Sequence, residues 1–124
     1  MSWIKQALSP IIGGEAERQA RKYLQQQGLD FISQNYRCKT GEIDLVMQDG
    51  KELVFIEVKF RSNQKFGKAV EFFHAAKRRK FESAVHFYLQ EKKLNPSIVA
   101  HRIDIIGIDS FESDKCEITW LKHV

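Results

Sequence analysis

The chain has 124 residues, 43% of them hydrophobic and 29% charged, with a formal net charge of +4. That length supports one domain with a real core, and the composition is that of an ordinary globular protein, excluding disordered and fibrous classes. No apolar run approaches the ~20 residues of a membrane span, the opening MSWIKQAL carries no signal-peptide apolar region, and Cys38 and Cys116 are too few for a disulfide framework.

Those exclusions predict a cytoplasmic protein with free thiols and no membrane partner. The modest positive balance favours a polyanionic partner.

Residues 1–12 read as an N-terminal arm in which Ser9-Pro10 breaks any short helix. Residues 13–124 read as a single domain. Gly13-Gly14 opens a helix predicted over Glu15–Gln27, stopped by Gly28. Ala16, Ala20, Tyr23, Leu24 and Gln27 form its inner stripe. Glu15 in the first turn suits the helix dipole, and on local grounds that structural role is sufficient. Leu29–Arg37 alternates as a strand, and Cys38-Lys39-Thr40-Gly41 is its turn.

The segment GEIDLVMQDGKELVFIEVKFR, Gly41 to Arg61, reads as a hairpin centred on Asp49-Gly50. That centre pairs Val46 with Leu53, Asp44 with Phe55 and Glu42 with Glu57. Period two then puts Glu42, Asp44, Phe55, Glu57 and Lys59 on one face, with Ile43, Leu45, Met47, Val54, Ile56, Val58 and Phe60 on the other. Asp44 and Glu57 become diagonal neighbours with backbones roughly 7–8 Å apart, close enough for two carboxylates to share one cation. Like charges on adjacent strands are destabilising unless paired or metal-bound. A half-exposed sheet face with Lys59 as an ordinary surface partner is the plain alternative. The gathering of charge at one end of the hairpin favours a site instead.

Ser62–Ala69 reads as a loop beside that charged end. A long helix begins near Ala75, with Phe81, Ala84, Val85, Tyr88 and Leu89 as its apolar stripe, and ends by Asn95-Pro96. Ile98–Asp109 is a fourth strand, and Cys116–Leu121 a short edge strand after a turn. From Lys59 to Lys80 there are eight basic residues against Glu71 alone, a balance of +7 in 22 residues. A solvated helix face explains Arg79 and Lys80 singly; the group beside a carboxylate cluster points to phosphate contacts. His74, His86, His101 and His123 show no ligand spacing.

Gly-Gly-Glu15 at a helix start, GEIDLV with Asp44, and FIEVKFR with Glu57, Lys59 and Arg61 resemble the YraN family (UPF0102). That family is similar in turn to the archaeal Holliday-junction resolvases of the PD-(D/E)xK nuclease superfamily. The resemblance covers roughly Ile12 to Asp109 and implies an α/β fold: a restriction-endonuclease-like α-β-β-β-α-β core, a mixed sheet flanked by helices. It implies a metal-dependent endonuclease acting on branched or structured DNA, with Mg²⁺ or Mn²⁺ held by Asp44, Glu57, the Val58 carbonyl and Glu15. Lys59 would be the catalytic lysine, and Arg61, Lys65, Lys68, Lys77 and Arg78 would contact nucleic acid. The alternative is a catalytically inactive nucleic-acid-binding module of the same fold. Resolvase-like relatives pair as homodimers, although no decisive self-association surface is legible here.

Overall fold

A computed structural model describes residues 9–61, 75–110 and 116–124, with side chains from Gly14 onward and those of Ser110 and Cys116 excepted. Helix α1 spans Ser9–Gln26. It is followed by β1 (Asp30–Cys38), β2 (Gly41–Asp49), β3 (Glu52–Arg61), helix α2 (Ala75–Glu91), β4 (His101–Ser110) and β5 (Cys116–Leu121). The strands form one mixed sheet in the order β1-β2-β3-β4-β5. Neighbours are antiparallel except β3 and β4, which are parallel and therefore joined by the crossover containing α2. This is the α/β architecture and the α-β-β-β-α-β order that the sequence implies, with β5 added at one edge.

Both faces of the sheet are covered. On one, Ala16, Ala20 and Leu24 of α1 pack on Leu45, Met47, Val54, Ile56, Ile106 and Ile108. Two alanines at the contact let α1 lie close to the strands. On the other, Phe81, Ala84, Val85, Tyr88 and Leu89 of α2, the predicted stripe, cover Val46, Leu53 and Phe55. Each large side chain in that stripe stabilises the fold by about 1.5–3 kcal/mol through burial. Coverage on both sides explains why β2 and β3 are nearly continuous apolar runs.

α1 starts earlier than expected. Proline is tolerated in a first helical turn, where its missing N–H would have no partner, so Ser9-Pro10 begins the helix rather than breaking it. Glu15 therefore sits within the helix and not in its first turn. The other end is as read: Gly28 has φ +100°, and the Leu29 N–H bonds the Leu24 carbonyl at 3.0 Å.

The hairpin register differs by two from the expected one. Asp49 pairs with Glu52, Met47 with Val54 and Val46 with Phe55, because the two loop residues are Gly50 and Lys51, with Gly50 at φ +62°. A slip of two preserves the side-chain faces. The end of β2 does change sides: Ile43 packs with the α2 cluster, together with Tyr36 across from it, and Glu42, next along the strand and paired with Arg37, then faces the other way. The cause is local. Asn35, between the pairs Gln34–Leu45 and Tyr36–Ile43, has φ +55°, and the alternation of burial along β1 breaks there.

At the β2–β3 turn a buried arginine ties the strands together. Arg102 on β4 meets Asp104 (Nε to Oδ1, 3.0 Å), Glu52 (2.7 Å) and Asp49 (3.0 Å). Asp104 is fully buried and also accepts from the Trp120 indole at 2.9 Å and the His123 N–H at 3.1 Å. Every charge in this knot has a partner, which is the condition for burying it.

Candidate functional site

The paired register of β2 and β3 ends at Leu45–Ile56, while β3 goes on pairing with β4 as far as Arg61. Beyond that point the strands part, and Asp44 fills the gap from the β2 side: its Oδ2 accepts the Val58 N–H at 2.7 Å. A main-chain donor that would have served a sheet ladder is held by a side chain instead. Asp44 and Glu57 are each only 7% exposed. The sequence placed them diagonally; continuing the observed register sets them face to face.

Two buried carboxylates this close resist ionising together. Burial first, and then the Glu57 charge, pushes the Asp44 carboxyl up to about 8, against the smaller opposing effect of the Val58 N–H. Burial likewise raises Glu57, opposed by Lys77. Two lysines answer this pair: Lys59 Nζ lies 3.6 Å from Glu57 Oε1 and Lys77 Nζ lies 3.4 Å from the same atom. Lys59 comes from the strand and Lys77 from the first turn of α2, so the crossover brings its cation back over the acid.

Among the predicted site residues, Asp44, Glu57, Val58, Lys59 and Lys77 come together. Glu15 does not join them. Its carboxylate bonds Arg18 and Gln19 on its own helix, and those bonds hold it below the usual carboxylate range. Glu17, two residues further along α1, is the helix acid whose charge reaches the pair. Its carboxyl is raised by burial and by Glu42, eased by a hydrogen bond with Asn35, and it lies within the electrostatic reach of both Asp44 and Glu57. The periodicity of α1 carries the reason. At about 100° per residue, Glu17 lies about 60° from the centre of the Ala16–Ala20–Leu24 stripe, and Glu15 about 140°. The stripe itself is legible in the sequence, and this angle is its consequence.

Arg61 ends β3 alongside Asp109 of β4. Arg78 lines a cavity of about 380 Å³ with His86, His101, Arg102 and His123, by the β2–β3 turn end of the sheet and away from the carboxylates. Lys65 and Lys68, with the predicted Ser62–Ala69 loop, lie outside the described residues. Two other hollows flank the acidic centre. One, about 330 Å³, is lined by Glu17, Arg18, Arg21, Gln34 and Asn35 among others. The second, about 620 Å³, lies between the β1–β2 turn and α2.

The donor set available to a metal is all oxygen: two carboxylates and the main chain at Val58. Hard, oxygen-seeking Mg²⁺ or Mn²⁺ fits such a set, and a cation would relieve the repulsion that raises Asp44. Among the described residues no three His, Cys, Asp or Glu side chains stand close enough to hold an ion by themselves. Water would therefore complete the coordination, as is usual for Mg²⁺.

Fold and centre together define a small α/β protein with an acidic pair where two central strands separate. The chain belongs to UPF0102, an uncharacterised protein family whose model matches residues 16–108, a span that includes Glu17 and omits Glu15. It is 48% identical over 113 residues to a UPF0102 protein of Janthinobacterium sp. (strain Marseille), covering 91% of this chain and 85% of that one. It is 44% identical over 113 residues to a UPF0102 protein of Herminiimonas arsenicoxydans, with the same coverage. A third relative, from Vibrio campbellii, is 39% identical over 112 residues, 90% of this chain and 89% of its own. Among the described residues no helix is long and apolar enough to cross a membrane.

Proposed function

We propose that the protein is a metal-dependent nuclease that hydrolyses phosphodiester bonds in structured DNA. One observation carries the reading: Asp44 and Glu57 are buried side by side at a strand parting, with Lys59 and Lys77 both on Glu57. A protein gains nothing in stability from such a pair, so its use lies in what it binds. Asp44, Glu57 and the Val58 carbonyl would hold the ion. Mg²⁺ or Mn²⁺ bound there would polarise the scissile phosphate and make a bound water more acidic.

The chain's own groups supply the rest. Lys59 orients the attacking water and stabilises charge that develops on the phosphate oxygens. Lys77 balances Glu57 before substrate arrives and becomes a phosphate contact afterwards. Glu17 stands in reach of both carboxylates as a further acceptor for ordered water. Pinning of Asp44 by the Val58 N–H fixes the acid's direction before any ligand binds.

The test is cleavage of branched, single-stranded and duplex DNA with Mg²⁺ or Mn²⁺. Wild type should cut only with metal, and Glu57→Ala should abolish cutting while binding survives. Equal cleavage by wild type and variant marks a contaminating nuclease and ends the assignment. That no third His, Cys, Asp or Glu side chain joins the pair among the described residues favours one second reading, a nucleic-acid-binding module without catalysis. Calorimetric titration of Mn²⁺ separates the two: a nuclease takes up the ion and Asp44→Ala does not, whereas a binding module shows no uptake in either.

A further inference from the structure

The 620 Å³ hollow beside the acidic centre is lined by Arg37, Cys38, Lys39, Thr40, Gly41, Glu42 and Lys80. Its character is unlike that of an apolar ligand pocket. Three cations face one acid, and no large apolar side chain lines it. Glu42 is engaged by Arg37 at 3.2 Å, which leaves Lys39 and Lys80 as the dominant charges of the trough.

Its place relative to the carboxylates is fixed from two directions. Glu42, at the inner end, is close enough to raise Asp44, Glu57 and Glu17 through its charge. Lys80 is one helical turn beyond Lys77, whose ammonium lies on Glu57. The wall of the trough and the wall of the site are thus successive turns of α2.

The trough is also rigid. A Cβ on Gly41 would lie 2.7 Å from the Lys80 carbonyl oxygen, so the β1–β2 turn packs directly on the α2 backbone. The hydroxyls of Thr40 and Ser83 bond at 2.8 Å across the same contact, and the Cys38 thiol donates to the Gly41 carbonyl at 3.4 Å. The backbone that carries Lys39 and Lys80 is thus fixed before an anion binds, while their exposed side chains stay free to reach it.

We propose that this trough is the track along which the sugar–phosphate backbone of a nucleic-acid strand runs into the acidic centre, with Lys39, Lys80 and Arg37 as its phosphate contacts. The inference rests on the nucleic-acid reading above and adds to it a surface outside the Lys59–Lys80 basic run: Arg37 at the end of β1 and Lys39 in the β1–β2 turn supply two of the three cations. Backbone contacts of this kind set register and affinity without reading bases, so binding here is insensitive to sequence and sensitive to salt.

The test uses a fluorescein-labelled oligonucleotide in single-stranded, duplex and branched forms, in Ca²⁺ to prevent cutting. Lys39→Glu with Lys80→Glu should weaken binding at least about tenfold and lower the salt slope by about two. Mn²⁺ uptake should be unchanged, which also shows that the variant is folded. A control pair of equal charge, Lys22→Glu with Lys51→Glu, should lose much less. Cys38 supplies a readout independent of charge: with Cys116→Ser it is the sole thiol of the two in the chain, and saturating oligonucleotide should slow its alkylation severalfold. Unchanged binding by the Lys39, Lys80 variant, or alkylation indifferent to bound oligonucleotide, overturns the track while leaving a nucleic-acid function standing. Failure of wild type to bind any of the three forms overturns both.

Discussion

Removing the charge of Asp44 should make the metal-free protein more stable. The carboxyl is pushed from an ordinary 3.8 up to about 8 by burial and by Glu57. Between those values the native state binds a proton that the unfolded state releases, so stability falls as pH climbs through the window. At pH 7, roughly 3 pH units above the ordinary value, the cost at 1.36 kcal/mol per unit is roughly 4 kcal/mol as an upper bound. Asn keeps an oxygen for the Val58 N–H and carries no charge. Urea unfolding in EDTA, followed by tryptophan fluorescence, should find Asp44→Asn more stable than wild type by roughly 2–4 kcal/mol at pH 7 and roughly 1–2 kcal/mol at pH 5. Glu57 is also raised, so a residual downward slope with pH should persist in the variant. Added Mg²⁺ should stabilise wild type and leave Asp44→Asn unmoved. A variant no more stable than wild type, with the same dependence on pH, would refute the reasoning: Asp44 would then be a contented acid rather than a strained one.

Other expectations follow from the packing. Arg102→Ala strands the fully buried Asp104 and should cost about 3–5 kcal/mol, read as a lowered urea midpoint. Gly41→Ala drives a methyl into the Lys80 carbonyl and should cost about 1–3 kcal/mol, with chemical-shift changes in both the β1–β2 turn and α2. Asn35→Ala should lose about 1–2 kcal/mol because alanine resists φ +55°, whereas Asn35→Gly should keep its stability and lose only the bond to Glu17.

The sequence exposed those parts of the molecule that depend on period alone. The α2 stripe and the faces of β2 and β3 emerge from spacing, and the two-residue error in register was harmless because faces repeat every two. What depends on the path of the backbone stayed hidden. The loop of the hairpin is Gly50-Lys51 rather than Asp49-Gly50, since residue type favours a turn without fixing which two positions occupy it. Ile43 lies on the side opposite to the one its period gives, because the alternation of β2 breaks between Ile43 and Leu45, where β1 opposite carries the left-handed Asn35. The acidic pair and Lys59 were legible as a cluster and Lys77 only as part of the basic run; that Glu17 rather than Glu15 lies within electrostatic reach of the pair depends on how α1 turns its buried stripe to the sheet. Arg102 and Asp104 carried the one available signal for the knot, opposite charges two apart in a strand, and it is too common to be read alone.

Strand β3 carries one acid at its start and one past its middle, with opposite fates. Glu52 is bolted into the Arg102 knot, while Glu57 crowds another acid. Between them run Leu53, Val54, Phe55 and Ile56, all buried and gripped from both sides. That buried stretch is where β2 and β3 stay paired, so the crowded acid stands just past the point at which the two strands part and the clasped one at the turn where they join.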